Sequence, residues 1–199
     1  GICGSGLIIM VATFFEMGII NNLGKFDRDL DTPRIREEGG IYEYVLAWKD
    51  ETQIDRDVTL TEIDIENLIR AKGAIYSGCM TLLTEVGMGI EDIEKIILAG
   101  GFGSYVDLEK AMTIGLLPEM DPEKVIFIGN GSLMGAKMSS LTNRIRRDVV
   151  EVTKKMTNFE LSDTPSYMDN YIAALFLPHT DMNKFPKLKA RMESRKDRK

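Results

Sequence analysis

The chain has 199 residues, of which 44% are hydrophobic, and a formal net charge of −6. A chain of this length and composition can bury a substantial core, and it predicts one or two domains. No apolar run approaches the roughly 20 residues of a membrane span. The acidic balance argues against nucleic acid, because contacts with phosphates need clustered lysine and arginine side chains. Neither a membrane nor nucleic acid is therefore expected as a partner.

The two ends of the chain differ from its body. The first residues include neither an initiator methionine nor the basic segment of a secretory signal, so we expect a cytoplasmic chain that begins inside a longer polypeptide. Residues 184–199 contain eight basic and two acidic side chains, which leaves −12 on the other 183 residues. This basic tail is expected to be a solvated, frayed terminus, with a docking arm as the alternative.

Hydrophobic periodicity predicts the elements of the first half. A helix capped by Ser5 covers residues 7–20 and is followed by a loop to residue 40. Residues 41–60 read as a hairpin of two strands. Thr61 and Asp64 have the spacing of a capping box, which opens a long helix. Its predicted apolar stripe comprises Ile65, Leu68, Ile69, Lys72, Ile75, Cys79, Leu82, Leu83 and Val86.

The second half contains two units of strand, glycine turn and helix. Residues 96–99 and 124–128 are apolar strands, and each runs into a glycine-rich turn. A short helix to residue 114 follows the first turn, and a long helix from residue 132 to residue 154 follows the second. This succession predicts an α/β fold with parallel strands and crossover helices. Ligands of such sheets bind at the carboxyl ends of the strands, and the helix start favours a phosphate-bearing ligand such as a nucleotide.

Three segments, taken in order, resemble the superfamily of acetate and sugar kinases, Hsp70 and actin. Residues 97–103 (Ile-Leu-Ala-Gly-Gly-Phe-Gly) look like its adenosine motif. Residues 70–75 resemble the helix that places basic side chains against the adenosine in Hsp70-type members, and residues 129–136 resemble the last turn on the nucleotide side. The resemblance implies a partial ribonuclease H-like subdomain with parallel strands, crossover helices and an inserted β-hairpin.

The resemblance is closer to one branch of that superfamily, the reductive activators of corrinoid proteins, which include activating enzymes of anaerobic methyltransferase systems. It rests on residues 1–8, 99–103, 114–118, 128–130 and 176–180. It implies that residues 1–183 are the carboxyl-terminal part of the second actin-like ATPase subdomain, with residues 41–60 as a hairpin insertion and residues 184–199 as the basic tail. The iron–sulfur domain and the Asp-Gly loops that hold phosphates and metal lie upstream in the family and are absent from these residues.

The function that the resemblance implies is that of the nucleotide-binding part of an ATP-dependent reductive activator, which restores Co(I) in corrinoid proteins. Its cofactors would be ATP or ADP with Mg²⁺, completed by upstream residues, and an iron–sulfur cluster in the missing part of the parent protein. Its partner would be a corrinoid protein, and a homodimer is allowed. A subdomain of a small-molecule kinase is the alternative, and a non-enzymatic docking module is a third interpretation.

The resemblance implies a nucleotide site drawn from four segments, and no catalytic residue is assigned. Its members are Gly100, Gly101, Phe102, Gly103, Lys72, Gly129, Asn130, Gly4, Ser5 and Gly6. Each segment has a structural alternative. The glycines could form only tight turns, and Phe102 could close its turn instead of covering an adenine ring. Lys72 could extend its amino group past the helix edge, and residues 4–6 could be an ordinary helix cap.

The other reactive side chains are interpreted as structural. His179 is the single histidine and has no carboxylate or cysteine at ligand spacing, so it is read as a structural residue and not as a catalytic base. Cys3 and Cys79 are far apart and are read as small core residues. No metal site is expected within this chain.

Overall fold

The computed structural model describes residues 2–101 and 103–196. The first half forms a helix, a small sheet and a second helix. These elements are α1 (Gly4–Met17), β1 (Ile35–Glu38), β2 (Ile41–Ala47), β3 (Val58–Thr61) and α2 (Glu62–Glu85). The second half contains two short strands and five helices: β4 (Ile96–Leu98), α3 (Leu108–Thr113), β5 (Val125–Phe127), α4 (Gly131–Leu141), α5 (Asn143–Thr153), α6 (Pro165–Ala174) and α7 (Pro186–Lys196).

The predicted hairpin is confirmed and belongs to a larger sheet. Strands β2 and β3 pair antiparallel, with Tyr44 opposite Leu60. Strand β1 pairs on the other side of β2, with Ile35 opposite Tyr44, so the expectation of a loop throughout residues 21–40 is wrong. The sequence Ile-Arg-Glu-Glu of β1 is short and polar, which is typical of an edge strand and gives almost no alternation to detect.

The second sheet confirms the predicted parallel arrangement. Strands β4 and β5 pair in parallel, and Ile97 lies opposite Ile126. Each strand ends in a glycine turn, and helices α3 and α4 follow these turns. The result is the mixed α/β architecture with a parallel sheet and helices that the sequence predicted.

Helix α2 supplies the centre of the main core, with a stripe different from the one predicted. The capping box is confirmed, since the Thr61 hydroxyl accepts from the backbone N–H of Asp64 at 3.1 Å. The predicted stripe is confirmed at Ile65, Ile69 and Lys72, which are buried, and is wrong at Ile75, Cys79, Leu82 and Val86, which are exposed. After Lys72 the buried line continues through Tyr76 and Met80, at spacings of four residues, instead of through Ile75 and Cys79.

Two predicted helix boundaries are corrected. Helix α1 is capped by Cys3 instead of Ser5, because the Cys3 sulfur accepts from the backbone N–H of Gly6. The long helix predicted from residue 132 to residue 154 is two helices. Thr142 has an extended backbone and its hydroxyl accepts from the N–H of Arg144, so it ends α4 and caps α5.

The interpretations of the tail and of the cysteines are also corrected. Most of the basic tail is helix α7, which packs Leu188 into the main core with 2% of its surface exposed. Arg191 of this helix pairs with Glu16 at 3.3 Å, so a frayed terminus is the wrong description of residues 186–195. Cys3 and Cys79 are both exposed and are not core residues. Apolar residues alternate with the basic residues of the tail, so the high charge of the segment gave no sign that one face of it packs against the core.

Candidate functional site

The two glycine turns lie against each other at the carboxyl ends of β4 and β5. The backbone N–H of Gly100 donates to the carbonyl of Gly129 at 2.6 Å. A Cβ atom added to Gly131 would lie 3.5 Å from the Cβ of Ala99. Two segments that the sequence analysis assigned separately to a nucleotide site are therefore neighbours, at the edge of a parallel sheet where ligands bind.

The glycines of these turns occupy their positions for different structural reasons. Gly100 and Gly129 have φ of +103° and +62°, which a residue with a Cβ rarely adopts. Gly101 has no such backbone constraint, and a Cβ added there would meet no atom within 4 Å. The space over Gly101 is open, so nothing in the described residues requires glycine at this position.

The flanking residues complete the two turns. A Cβ at Gly103 would lie 3.4 Å from the Cβ of Leu98, so Gly103 closes against the strand that precedes it. Asn130 caps α4, since its side-chain oxygen accepts from the N–H of Leu133 at 2.9 Å. Phe102 lies outside the described residues, and its assignment as a cover for adenine stays a prediction.

Lys72 lies away from the surface, in the interior beneath α6 and the segment that follows it. Its side chain is fully buried, and its Nζ donates to the carbonyl oxygens of Phe176 at 2.5 Å and Pro178 at 2.6 Å. Burial lowers the pKa of this amine to about 7, because desolvation disfavours the charged form. Lys72 therefore has backbone partners in this structure, and a contact with nucleotide stays a prediction.

The remaining candidate segment, residues 4–6, forms the first turn of α1. Gly4, Ser5 and Gly6 begin the helix, and the Ser5 hydroxyl lies 3.4 Å from the sulfur of Cys3. Hydrogen bonds from Ser5 and from the N–H of Gly6 lower the pKa of the exposed Cys3 thiol. Its part in nucleotide binding stays a prediction.

His179 is buried, as its structural interpretation requires, with 5% of its surface exposed. Its Nδ1 accepts a hydrogen bond from the backbone N–H of Asp181 at 2.9 Å. Burial lowers the pKa of the imidazole to about 4, and the nearby Lys184 and Lys72 contribute in the same direction. The ring is therefore neutral at pH 7. No cluster of three potential metal ligands occurs among the described residues.

Sequence analysis missed a cavity on whose wall His179 lies. The cavity has a volume of about 890 Å³ and opens between residues 15–29 and residues 177–193. We call it the His179 cavity. Its walls come from two segments separated by about 150 positions, so no local motif could have indicated it. The isolated histidine beside Pro178 was the only sequence signal.

Comparison with known proteins decides which branch of the superfamily is represented. Residues 1–189 match the family model described as the C-terminal domain of RACo, the ASKHA domain. The chain belongs to this family. The RACo C-terminal domain family accounts for the juxtaposed glycine turns, since ASKHA is the superfamily of acetate and sugar kinases, Hsp70 and actin that those turns resemble.

None of the described helices is long and apolar enough to cross a membrane.

Individual relatives are named as activators or as a reductase of corrinoid proteins. The chain is 31% identical over 179 residues to the corrinoid activation enzyme RamQ of Eubacterium limosum, and this alignment covers 86% of the chain. It is 38% identical over 100 residues, 50% of the chain, to the [Co(II) methylated amine-specific corrinoid protein] reductase of Methanosarcina barkeri. The solved structure of a reductive activator for corrinoid, iron–sulfur protein superimposes with a TM-score of 0.86, at 46% identity over 94% of the chain.

The relatives are much longer than the part of them that this chain matches. The chain covers 30% of RamQ, 18% of the corrinoid protein reductase and 30% of the solved activator. The activities in those names belong to the whole proteins.

Proposed function

We propose that this chain is the nucleotide-binding part of an ATP-dependent reductive activator that restores Co(I) in the corrinoid proteins of methyltransferase systems. The observation that carries the proposal is the pair of adjoining glycine turns, in a chain that belongs to the RACo C-terminal domain family. The names of the relatives support corrinoid proteins as partners.

The space above Gly101 suits the proposed adenosine contact. A Cβ at Gly101 would meet no described atom within 4 Å, and the neighbouring Gly100 is hydrogen-bonded to Gly129 of the second turn. A purine and ribose can approach such a backbone closely because no Cβ projects from it. ATP or ADP with Mg²⁺ is the proposed ligand, with phosphate and metal contacts supplied by other parts of a longer protein.

The proposed reaction is a one-electron reduction. An iron–sulfur cluster outside this chain would supply one electron, which converts inactive Co(II) to Co(I). Nucleotide can favour that transfer only through different affinities for two states of the activator, one of which holds the corrinoid protein in the geometry for electron transfer. The residues of this chain would contribute by binding nucleotide and changing the relative populations of those states.

An exposed apolar surface supports the participation of a longer protein. No residue of α4 or α5 is buried in the described structure. We define the α4–α5 face by its exposed apolar side chains: Leu133, Met134, Met138, Leu141, Val149, Val150 and Val152. Ile97 and Phe127 of the two-stranded sheet are exposed as well. A two-stranded sheet is marginally stable by itself, and contiguous apolar patches mark contact surfaces, so we propose that the rest of a longer protein covers this face.

Titration of nucleotide tests the proposal in the full-length protein. Gly101→Val should weaken ADP binding about tenfold or more, because the added side chain fills the space above the turn without a clash in the described residues. Gly40→Asn is the matched control, since asparagine tolerates the left-handed φ of +80° and the position is open. Unchanged ADP affinity in a folded Gly101→Val protein would remove the adenosine assignment.

The activity is tested by absorbance. Full-length protein, ATP and a low-potential reductant should convert the Co(II) form of a corrinoid protein from the same genome to Co(I), and Gly101→Val should slow that conversion. If no corrinoid protein is reduced and a sugar or carboxylic acid is phosphorylated instead, the small-molecule kinase is the correct function.

A further inference from the structure

The His179 cavity has the size and lining of a small-molecule site. Its volume of about 890 Å³ falls within the range of roughly 300 to 1,000 Å³ that is usual for such sites. The floor is formed by side chains of the main core, including Phe15, Ile20, Phe26 and Leu177, each with 5% or less of its surface exposed. An apolar body of modest size would therefore be held on fixed walls.

His179 presents one hydrogen-bond donor in this cavity. The backbone N–H of Asp181 can only donate, so the Nδ1 atom that accepts it carries no proton. In the neutral ring the proton must then be on Nε2. No described residue accepts a hydrogen bond from Nε2, although 95% of the residue is buried by the protein. Nε2 is not among the buried side-chain atoms that lack a partner in the described residues, so it is reachable from the cavity and is available to an acceptor atom of a ligand.

The rim of the cavity carries charges of both signs. Asp27, Asp29 and Glu193 line it, and none of these carboxylates forms an ion pair with a described cation. Two of the three cations at the rim already have partners. Lys25 pairs with Glu62 at 3.0 Å, and the guanidinium of Arg28 lies 4.1 Å from the centre of the Tyr42 ring.

Lys189 is the third cation of the rim. Its Nζ donates to the side-chain oxygen of Asn183 at 3.0 Å, and it forms no ion pair with a described carboxylate. The rim therefore offers unpaired carboxylates for a cationic group of a ligand, and it offers an ammonium and an imidazole N–H for an anionic or carbonyl group.

We propose that the His179 cavity binds a small zwitterion of the amino-acid class with an apolar side chain. The ligand carboxylate accepts from His179 Nε2–H, with Lys189 as the nearby positive charge. The ligand ammonium pairs with the carboxylates of Asp27 and Asp29, and its side chain rests on the apolar floor. None of the residues that line this cavity belongs to the two glycine turns, so the proposal does not rest on the proposed nucleotide site.

Three probes with the same aromatic body test the ligand class by calorimetry on the full-length protein, with and without saturating ADP. They are L-phenylalanine, which carries both charges, 2-phenylethylamine, which lacks the carboxylate, and 3-phenylpropionate, which lacks the ammonium. L-phenylalanine should bind most tightly, and each of the other two about tenfold more weakly, irrespective of ADP. Equal affinities for all three probes, or binding of none, would overturn the proposal.

Two substitutions assign the contacts. His179→Phe should weaken the binding of L-phenylalanine about tenfold and leave the affinity for 2-phenylethylamine unchanged, since only a ligand carboxylate loses its hydrogen-bond donor. Asp27→Asn should weaken the binding of L-phenylalanine and of 2-phenylethylamine and leave the affinity for 3-phenylpropionate unchanged. Met17→Gln, exposed near the end of α1 and outside the cavity, is the control. If circular dichroism shows that His179→Phe does not fold, the order of the three probes on the wild-type protein and on Asp27→Asn decides. The proposal is contradicted if L-phenylalanine binds more weakly than the other two probes, or if Asp27→Asn abolishes the binding of all three probes.

Discussion

The Nζ atom of Lys72 lies 2.6 Å from the carbonyl oxygen of Pro178, a contact that joins α2 to a segment more than 100 residues away. The same amine donates to the carbonyl of Phe176. Pro178 is followed by His179, and the N–H of the preceding Leu177 donates to the carbonyl of Asn22 at 2.8 Å. The lysine thus fixes the segment that forms one wall of the His179 cavity, and it is a central tertiary contact of the fold.

Burial of Lys72 makes stability depend on pH. The folded-state pKa of about 7 lies below the ordinary lysine value of 10.5, so between these values the unfolded chain binds a proton that the folded chain does not. The free energy of unfolding should therefore rise as pH increases from 7 to 10, by at most about 1.4 kcal/mol per pH unit from this group. Urea unfolding at several pH values measures this slope.

Lys72→Met isolates this contribution. The other titratable groups occur in both proteins, so their contributions cancel when the free energy of unfolding of the variant is subtracted from that of the wild type. Desolvation also raises the pKa of the Cys79 thiol and raises the pKa of Tyr76 to about 12, so these groups oppose the trend only near the upper end of this pH range and above it. The variant should also lose about 1 to 3 kcal/mol at pH 9, because two buried carbonyls lose their donor. Parallel stability curves for the two proteins would show that Lys72 keeps an ordinary pKa.

Gly115 should be intolerant of substitution because Pro178 occupies the space beside it. A Cβ at Gly115 would lie 2.2 Å from the carbonyl oxygen of Pro178, and its φ is +74°. Gly18 has an almost identical φ of +75° but open space around it, so Gly18→Ala measures the backbone strain alone. Gly115→Ala should destabilise the fold by clearly more than the ~1 to 2 kcal/mol of that control, measured by urea unfolding. Equal losses would mean that the segment at Pro178 moves aside freely.

The neutral state of His179 gives a prediction for acidic pH. Its folded-state pKa of about 4 lies below the ordinary histidine value of 6.5, so as pH falls between these values the unfolded chain takes up a proton before the folded chain does. The contribution of His179 to stability is complete above pH 6.5 and is lost as pH falls toward 4. NMR titration of the His179 ring signals in the folded protein measures the pKa directly. An ordinary midpoint near 6.5 would contradict the burial of this ring.

The parts of the fold that the sequence predicted are those with local signals. The capping box at Thr61 and the glycine turns after β4 and β5 depend on residues that are close in the sequence, and each was located correctly. Strand β1 was missed because an edge strand of four residues depends on its partner β2 for its hydrogen bonds. The break at Thr142 was missed because threonine is compatible with both a helix interior and a cap.

The candidate site shows the same limit more strongly. Juxtaposition of Gly100 with Gly129 followed from the parallel-sheet prediction, since the carboxyl ends of neighbouring parallel strands share one edge. The partners of Lys72 could not be predicted, because they are backbone carbonyls of a segment that no pattern connects with α2. A lysine that is buried on an otherwise apolar helix face needs a partner, and only the tertiary structure identifies which one.

The α4–α5 face should have opposite properties in the chain and in the full-length protein. In the chain of 199 residues, Leu141 and Val152 expose 75% and 58% of their surface, which predicts self-association. The double variant Leu141→Arg with Val152→Arg should therefore reduce the mass of the chain measured by analytical ultracentrifugation. In the full-length protein the same variant should lower the melting temperature, because it places two charges in a contact with the rest of the protein. Leu23→Arg, 50% exposed in the turn after α1 and outside this face, is the control and should change neither measurement. A full-length double variant with an unchanged melting temperature would show that the α4–α5 face remains exposed there, and the proposed covering by the rest of the protein would be wrong.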